Sequence, residues 1–526
     1  MRVLIADKVS ATCAEVLGRA GIETEVRPGL KGAELLAAVA GVEGIVVRSD
    51  TRITEEVLRA APLLKVVGRA GAGVDNIDVA AATRYGIVVM NAPGENTISA
   101  AEHTLSMMLA LARQIPRADR SMHSGAWERG RILGVELYGK TLGILGLGKV
   151  GREVATRSLA FGMRILAYDP VLTEDAAERL GVTLVPLDAI WERSDFITLH
   201  LPLTDATRHL IGAEQLGKCR RGVRIVNVAR GGVLDEAALA QALRSGQVAG
   251  AALDVFEQEP PAGSPLLAID TAVLTPHLGA STQEAQEKVA ARIAEQIAAY
   301  LRDGLIVNAV NVEGIDPRLL PVIQPYRDLC ERLGRLLSSL CRQPVAEVLL
   351  EYSGAVLECP TRYLTASFLK GFLQGRLSDP VNPVNALVLA KEAGIRLQET
   401  RAAEPQDFTA LIVATLRGRD GGPRSAAGAL FGKREPRLVR LDEYHLDAIP
   451  EGAMLIVSND DRPGMVGRIG TALGDAGINI AYLSLGRDRS GGRAIAIFNL
   501  DSPMDDAALR SIAAIDGVLW VERVTL

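Results

Sequence analysis

Residues 141–170 (TLGILGLGKVGREVATRSLAFGMRILAYDP) constrain the fold more than any other part of this sequence. They open with an apolar run of the length of a buried strand, followed by Gly146, Gly148 and Gly151 in GxGxxG spacing and then a helical pattern. A second apolar run ends on Asp169, 18 residues after Gly151. GxGxxG alone also fits a turn in an unrelated α/β unit, but strand, glycine turn, helix, strand and acid in this order predict a dinucleotide site.

Each marked residue of this unit has a physical task in binding a dinucleotide. Gly146 permits the tight turn, Gly148 lets the backbone approach a pyrophosphate, and Gly151 lets helix pack on strand. The free N–H groups and partial positive charge of the helix N-terminus then face the phosphates. Asp169 accepts hydrogen bonds from the adenosine ribose and repels a 2′-phosphate, so the sequence predicts NAD rather than NADP as the cofactor.

The 526 residues are too many for a single hydrophobic core. On both sides of the glycine turn, short apolar runs alternate with helical patterns, which predicts an α/β fold with two Rossmann-like doubly wound domains. The apolar pattern after residue 316 changes twice, which adds an α/β intervening domain and a C-terminal βαββαβ domain. The predicted division is 1–97 plus 284–316 for substrate binding, 98–283 for NAD binding, 317–450 for the intervening domain, and 452–526 for the C-terminal domain.

Composition limits the partners and the compartment. A net charge of −5 gives no electrostatic reason to expect nucleic acid or a membrane surface. The five cysteines show no CxxC or histidine pairing, which indicates reduced thiols and no metal site. No signal peptide is visible, and no apolar run approaches the roughly 20 residues of a membrane span. We expect a cytoplasmic protein.

Two arginines follow strand-like runs of the first domain. Arg48 ends GIVVR and Arg69 lies in LKVVGRAG. Either residue alone could be a surface charge. Because ligands gather at the carboxyl ends of parallel strands, the two together predict a site for a carboxylate or phosphate, which the guanidinium fork matches.

Three candidate catalytic residues follow consecutive strand-like runs of the second domain: Arg230, Glu259 and His277. Arg230 suits a substrate carboxylate, and His277 suits a base that takes a hydroxyl proton as hydride leaves. Glu259 could fix the imidazole tautomer and stabilise the imidazolium. Singly they fit a capping arginine, an exposed glutamate and a core histidine, but together they predict the oxidation of a 2-hydroxy acid. We interpret His103 and His123 as packed or surface histidines, since neither has an acidic partner at a strand end.

The segments GLGKVGREVA, NVARGGVLDEAALAQAL, ALDVFEQEPP and TPHLGAST resemble the D-isomer-specific 2-hydroxyacid dehydrogenases. The resemblance covers essentially the whole chain. It implies that Arg230, Glu259 and His277 are catalytic and that Asp254 meets the nicotinamide carboxamide. It also implies that NAD is surrounded by Gly146, Gly148, Lys149, Val150, Gly151, Asp169, Leu201, Val228, Ala229, Arg230, Asp254, His277, Leu278, Gly279 and Ala280.

Within that family, GRAGAGVDNID, MNAPGENTISAAEHT and the long C-terminal extension resemble the long-form members. Those members oxidise 3-phospho-D-glycerate to 3-phosphooxypyruvate in the first step of L-serine biosynthesis. The resemblance implies that Arg48, Arg69 and Asn96 hold the substrate phosphate and carboxylate. Ala72 stands where relatives often carry a threonine that bonds the ligand, so that contact is in doubt here.

Two other functions remain open from the sequence. One is a hydroxypyruvate or glyoxylate reductase of the same family, against which the C-terminal extension argues because short members lack it. The other is a non-enzymatic NAD-sensing regulator, against which the complete set of Arg230, Glu259 and His277 argues.

The C-terminal regions predict regulation. Residues 432–440 are basic, and Lys433, Arg434 and Arg437 fit either an anion-effector site or a solvated loop. Residues 454–526 resemble the ACT domains that bind amino acids, with DRPG before the first helix. This resemblance implies serine as the effector and a homo-oligomer, dimer or tetramer, although a dimerisation module without ligand is the alternative. The matching effector positions are Asn459, Asp461 and Asn479.

Overall fold

Four β-sheets follow one another along the chain in this computed structural model, which describes residues 1–526 except 315–316, 342, 379, 403–407, 419–421 and 433. None of the described helices combines the length and the apolar run needed to cross a membrane. The five cysteines are free thiols.

The first sheet is parallel and has the strand order β2-β1-β3-β4-β5. Its strands are β1 Arg2–Ile5, β2 Glu23–Val26, β3 Gly44–Val47, β4 Val66–Arg69 and β5 Val88–Asn91. The connecting helices are α1 Thr12–Arg19, α2 Gly32–Val39, α3 Glu55–Arg59 and α4 Val79–Arg84. The four predicted strands are confirmed.

The second sheet is also parallel, with the order β12-β11-β10-β9-β6-β7-β8. Its strands are β6 Thr141–Leu145, β7 Arg164–Tyr168, β8 Thr183–Leu184, β9 Phe196–Leu199, β10 Val223–Asn227, β11 Val248–Leu253 and β12 Ala272–Leu274. Its helices are α5 Thr97–Arg113, α6 Ile115–His123, α7 Lys149–Ala160, α8 Glu174–Glu178, α9 Leu187–Arg193, α10 Ala213–Lys218 and α11 Glu236–Ser245. Two Rossmann-like sheets are therefore confirmed.

Two long helices connect these sheets. Helix α5 leaves the first sheet and packs its apolar face, including Leu105 and Met108, on the second sheet. Its N-cap is Asn96. Helix α12 (Gln283–Asp303) returns and buries Ile293 and Ile297 against the first sheet.

The third sheet is mixed and has the order β14-β13-β15-β16-β17-β18. Its elements are α13 Leu320–Leu340, β13 Val345–Gly354, α14 Thr361–Leu373, α15 Ala386–Glu392, β14 Arg396–Ala402, β15 Ala410–Gly418, β16 Arg424–Phe431, β17 Glu435–Leu441 and β18 Tyr444–Ala448. Of the two interpretations of the basic stretch, the solvated loop is wrong for residues 435–441, because they form β17 with Leu438 and Leu441 fully buried.

The strand also changes the interpretation of the basic side chains. Arg437 lies 3.3 Å from the carboxylate of Asp447 and 3.2 Å from that of Glu435, and its guanidinium lies over Phe431. It is therefore held by partners within its own sheet. Lys433 lies outside the described residues.

The fourth sheet is antiparallel, with the order β20-β21-β19-β22. Its elements are β19 Ala453–Asp460, α16 Met465–Asp475, β20 Ile480–Arg487, β21 Arg493–Leu500, α17 Asp506–Ala513 and β22 Val518–Thr525. The predicted βαββαβ order is confirmed. One face of the sheet packs on α16 and α17, while Ile456 and Ile495 on the other face share a core with α13.

Candidate active site

The candidate catalytic residues lie at one edge of the second sheet. Strands β10, β11 and β12 are adjacent and parallel, so their carboxyl ends lie side by side. Arg230 comes three residues after β10, Glu259 follows β11, and His277 comes three residues after β12. The predicted order of these residues along three neighbouring strand ends is confirmed.

His277 and Glu259 form a direct pair. The imidazole Nδ1 lies 2.7 Å from Glu259 Oε2, and the Phe256 amide donates to Glu259 Oε1 at 3.2 Å. Partial burial of Glu259 opposes its ionisation, but the hydrogen bonds from His277 and Phe256 outweigh this and lower its pKa. Because Nδ1 faces a carboxylate, Nε2 is the atom of His277 left to face a substrate.

The loop that carries His277 is held by Asp254. This fully buried carboxylate accepts the Leu278 amide at 2.7 Å, the Gly279 amide at 2.8 Å and the Thr275 hydroxyl at 2.6 Å. Burial alone would raise the pKa of Asp254, but these bonds and one with His103 lower it. Asp254 therefore lies within the loop network as a carboxylate.

The interpretation of His103 as lacking an acidic partner is wrong. Its Nε2 lies 3.2 Å from Asp254 Oδ1, across 151 residues of sequence, and 3.2 Å from Thr275 Oγ1. Helix α5 brings it to the end of β11, which local sequence does not reveal. His123 is an exposed histidine as predicted, 3.5 Å from Asp119 one turn earlier on α6.

Arg230 reaches toward the first sheet. Its Nε lies 3.3 Å from Asp75 Oδ2, and its Nη1 donates to the Ala229 carbonyl at 2.6 Å. Asp75 follows β4 in the GAGVDNID segment and its side chain is 70% exposed. Sequence reasoning missed Asp75, although it lies inside a segment already singled out.

The candidate substrate arginines also face this side of the first sheet. Arg69 ends β4, and its buried Nε has no hydrogen-bond partner in the described part of the chain. Burial and the nearby Arg230 cation lower the pKa of Arg69 to about 10, so it stays charged at neutral pH. Arg48 lines a small cleft with Lys8 and Gln286. A half-buried guanidinium whose buried Nε has no hydrogen-bond partner suits an anionic ligand.

The glycine turn fits a dinucleotide. Gly146 has φ of +92°, and a Cβ there would lie 2.7 Å from the His200 carbonyl. A Cβ on Gly148 would meet nothing within 4 Å, and one on Gly151 would lie 2.1 Å from the Gly146 carbonyl. The turn therefore leaves open space for a pyrophosphate where α7 begins at Lys149, and it packs closely where helix meets strand.

The other predicted cofactor residues lie after β9 and β10, at the start of α7 and in the loop that carries His277. Leu201 follows β9 against Gly146, and Val228 lies against Gly279 of the His277 loop. The Lys149 ammonium donates to the Pro93 carbonyl at 3.3 Å. Val150 is the second residue of α7, Ala229 follows Val228, and Ala280 ends the loop segment.

Asp169 follows β7 beside the turn. Its Oδ2 accepts the Leu147 amide at 2.8 Å, and its Oδ1 accepts the Val171 amide at 2.9 Å. The carboxylate is thus fixed against the glycine turn where an adenosine ribose binds in this fold.

We expect Asp169→Ala to weaken the preference for NAD over NADP. The change removes a charged acceptor whose hydrogen bonds contribute about 1.5–3 kcal/mol, so the ratio of kcat/KM values should fall roughly 10- to 100-fold. Steady-state kinetics with both cofactors measure it, with Asp175→Ala on exposed α8 as the control. An unchanged ratio would assign the preference to another residue.

The predicted effector residues lie near the start and end of α16. Asp461 Oδ2 accepts the Gly491 amide at 3.0 Å and lies 3.4 Å from Arg487. The Asn479 amide donates to Asp501 at 2.7 Å. Asn459 is buried and donates to the adjacent Asp460 carbonyl at 2.7 Å.

Known families match along the chain. Residues 105–279 match the D-isomer specific 2-hydroxyacid dehydrogenase NAD binding domain, residues 322–442 the D-3-phosphoglycerate dehydrogenase intervening domain, and residues 453–517 the ACT domain. A D-3-phosphoglycerate dehydrogenase from Archaeoglobus fulgidus is 42% identical over 100% of both chains.

Solved structures match the first part of the chain. A glyoxylate reductase from Paecilomyes thermophila is 32% identical with a TM-score of 0.54, over 59% of this chain and 98% of the reductase. An NAD-dependent formate dehydrogenase from Staphylococcus aureus in complex with NAD is 27% identical with a TM-score of 0.55, over 60% of this chain and 100% of the formate dehydrogenase.

The two parallel sheets, the glycine turn and the His277–Glu259 pair at the strand ends define an NAD-dependent dehydrogenase of the D-isomer specific 2-hydroxyacid type. Because its identity to a relative of that name extends over the full length and includes the intervening and ACT domains, the chain belongs to the D-3-phosphoglycerate dehydrogenase family.

Proposed function

We propose that this protein oxidises 3-phospho-D-glycerate to 3-phosphooxypyruvate with NAD, the first step of L-serine biosynthesis. The observation that carries the proposal is the His277–Glu259 pair, whose Nδ1 and Oε2 atoms lie 2.7 Å apart. The pair lies after β12 and β11, and Arg230 follows the neighbouring strand β10. The full-length similarity to D-3-phosphoglycerate dehydrogenases supports the choice of substrate.

The substrate has a carboxylate and a phosphate, so it needs cations at two positions. Arg230 takes the carboxylate, which displaces the exposed Asp75 from the guanidinium, since an exposed ion pair contributes little. Arg69 is half-buried beside Arg230, and Arg48 lies in the neighbouring cleft. The substrate phosphate and the remaining carboxylate contacts are then bound by Arg48, Arg69 and Asn96.

The chemistry follows from the atoms left free at the strand ends. His277 Nε2 takes the proton of the C2 hydroxyl, and Glu259 stabilises the imidazolium through Nδ1. Arg230 holds the carboxylate and polarises the developing carbonyl. Asp254 and the loop amides place the base, and Gly279 and Val228 line the wall of the cofactor site. Bound NAD supplies the acceptor for the hydride from C2.

A glyoxylate or hydroxypyruvate reductase is the second candidate, because a glyoxylate reductase matches the first part of the chain. That reductase matches only 59% of this chain, so the remainder has no counterpart there. Turnover with 3-phosphoglycerate and NAD, compared with NADH-dependent reduction of glyoxylate and hydroxypyruvate, separates the two. A higher kcat/KM with either reductase substrate would overturn the proposal, and NADH binding without any turnover would favour an NAD-sensing regulator.

The proposal includes feedback by serine at the ACT domain. Serine is a zwitterion, so Asp461 would bind its ammonium, Asn479 would offer donor and acceptor, and the amides after Gly464 would meet its carboxylate. Gly464 is the N-cap of α16, with φ of +88°. Asn459 lies beside this group at the end of β19. The family match to the ACT domain supports a small-molecule effector.

Serine inhibition should depend on Asp461. We expect Asp461→Ala to retain kcat and to lose inhibition by serine, because the ammonium loses its charged partner. Inhibition curves at matched 3-phosphoglycerate measure this, with Asp506→Ala on α17 as the control. Equal sensitivity in wild type and Asp461→Ala would exclude Asp461, and an uninhibited wild type would exclude serine as effector.

A homo-oligomer, dimer or tetramer, completes the proposal. Strands β20 and β22 are the two edges of the fourth sheet, and Tyr482 and Leu485 on β20 are exposed apolar side chains. An edge of this kind favours pairing with a second copy. Light scattering of the full chain measures the mass.

We also propose that the chain divides into residues 1–97 with 284–316, residues 98–283, residues 317–450 and residues 452–526. We further propose a cytoplasmic location, which suits the free thiols.

A further inference from the structure

One face of α5 contacts both ends of the loop that carries His277. Ser99 and His103 lie one helical turn apart and so point in the same direction. Ser99 Oγ lies 2.8 Å from Thr282 Oγ1, and His103 Nε2 lies 3.2 Å from Thr275 Oγ1. The segment 275–282 is therefore fixed to α5 before and after His277.

His103 reaches the loop chiefly through Asp254. Its Nε2 lies 3.2 Å from Asp254 Oδ1, and the carboxylate accepts the Leu278 and Gly279 amides. The His277 amide donates to the Asp254 carbonyl at 2.9 Å. A buried carboxylate needs every one of its donors, so the loss of His103 weakens the site that holds the two loop amides.

The backbone of His277 depends on this support. Its φ is +56°, in the left-handed region that residues other than glycine adopt seldom. Such a conformation persists only where the surrounding contacts impose it. The direction of the imidazole toward substrate therefore depends on the contacts that the loop makes with Asp254 and α5, and not only on the loop's own backbone.

Helix α5 also connects this loop to the substrate side. Residues 92–96 follow β5 of the first sheet and end at Asn96, the N-cap of α5. Ser99 and His103 are in the first two turns after it. The same helix thus begins at a candidate substrate residue and contacts the loop of the candidate base.

We propose that His103 is a positioning residue for the base, and that with Ser99 it holds the 275–282 loop so that His277 Nε2 faces the C2 hydroxyl. His103 donates from Nε2 to Asp254 and does not touch substrate. The kinetic test of this assignment rests on the proposed function. Its structural test, by hydrogen exchange, does not.

The kinetic test uses His103→Leu in the full chain. Misplacement of the base should lower kcat on the order of 10²-fold, while the KM for 3-phosphoglycerate and the affinity for NADH stay near those of wild type. The primary deuterium isotope effect on kcat with substrate deuterated at C2 should rise, because the chemical step becomes slower. His103→Gln, whose amide can donate to the same carboxylate, should restore most of kcat. His123→Leu, an exposed histidine on α6, is the matched control.

The structural test is hydrogen exchange of peptides spanning residues 275–282. The Leu278 and Gly279 amides should exchange about tenfold faster in His103→Leu and at the wild-type rate in His123→Leu, since one charge-assisted bond is lost only in the former. If His103→Leu does not fold, Ser99→Ala tests the other end of the loop. In that variant we expect a smaller fall in kcat and the same faster exchange of the loop amides.

The outcomes separate cleanly. Wild-type kcat and isotope effect in His103→Leu, or unchanged exchange at the loop, would overturn the assignment; where that variant does not fold, the same results in Ser99→Ala would do so. A wild type that does not oxidise 3-phosphoglycerate would contradict the proposed function, and the exchange experiment would still decide whether His103 holds the loop.

Discussion

His277→Ala is expected to lower kcat on the order of 10²- to 10⁴-fold while NADH still binds. The variant lacks the group that takes the hydroxyl proton, so the barrier to the chemical step rises. The glycine turn and Asp169, which we propose as the residues that hold the other end of the dinucleotide, are unchanged. Steady-state turnover with 3-phosphoglycerate and an NADH fluorescence titration measure the two effects separately.

His123→Ala is the matched control for this prediction. His123 is 82% exposed on α6 and contacts Asp119 one turn away, so its removal should leave kcat unchanged. Near-wild-type turnover in His277→Ala would remove His277 from the mechanism. Loss of NADH binding together with turnover would instead indicate that the 275–282 loop had collapsed.

Several predicted strands of the two parallel sheets share a property that the missed strands β2 and β17 lack. Runs such as β3 (GIVV) and β6 (TLGIL) are buried along their whole length, so their apolar residues are visible in sequence. Strand β2 (ETEV) lies at a sheet edge and is exposed at both ends, so it has no apolar run. Strand β17 (EPRLVRL) carries Arg437 and Arg440 beside the buried Leu438 and Leu441, and its arginines left a solvated loop open as one interpretation.

The position of the candidate catalytic residues along one sheet edge could be predicted because parallel strands bring their carboxyl ends together. Order along the chain then gives proximity for Arg230, Glu259 and His277. The contact between His103 and Asp254 could not be predicted in this way, since it depends on how α5 crosses the sheet. Asp75 lies in the loop that follows β4 of the first sheet. Its contact with Arg230 therefore depends on how the two sheets face each other.

Arg230→Gln is expected to cause a comparably large loss, but in kcat/KM for 3-phosphoglycerate. A bidentate contact with a carboxylate contains two charge-assisted hydrogen bonds of about 1.5–3 kcal/mol each, so kcat/KM should fall about 10²- to 10⁴-fold. Arg230→Lys keeps the charge but not the planar fork, so its kcat/KM should lie between the values for wild type and Arg230→Gln. Both variants should retain NADH binding, which a fluorescence titration measures.

Arg220→Gln provides the control at the opposite end of the same strand. Arg220 lies before β10, 3.0 Å from Asp195, with a half-exposed side chain, so its loss should change kcat/KM little. Arg230 differs because its partner in the structure is an exposed carboxylate that a substrate carboxylate can replace. If Arg230→Gln kept wild-type kcat/KM, the carboxylate would be bound elsewhere, and the half-buried Arg69, whose buried Nε has no partner among the described residues, would be the residue to replace next.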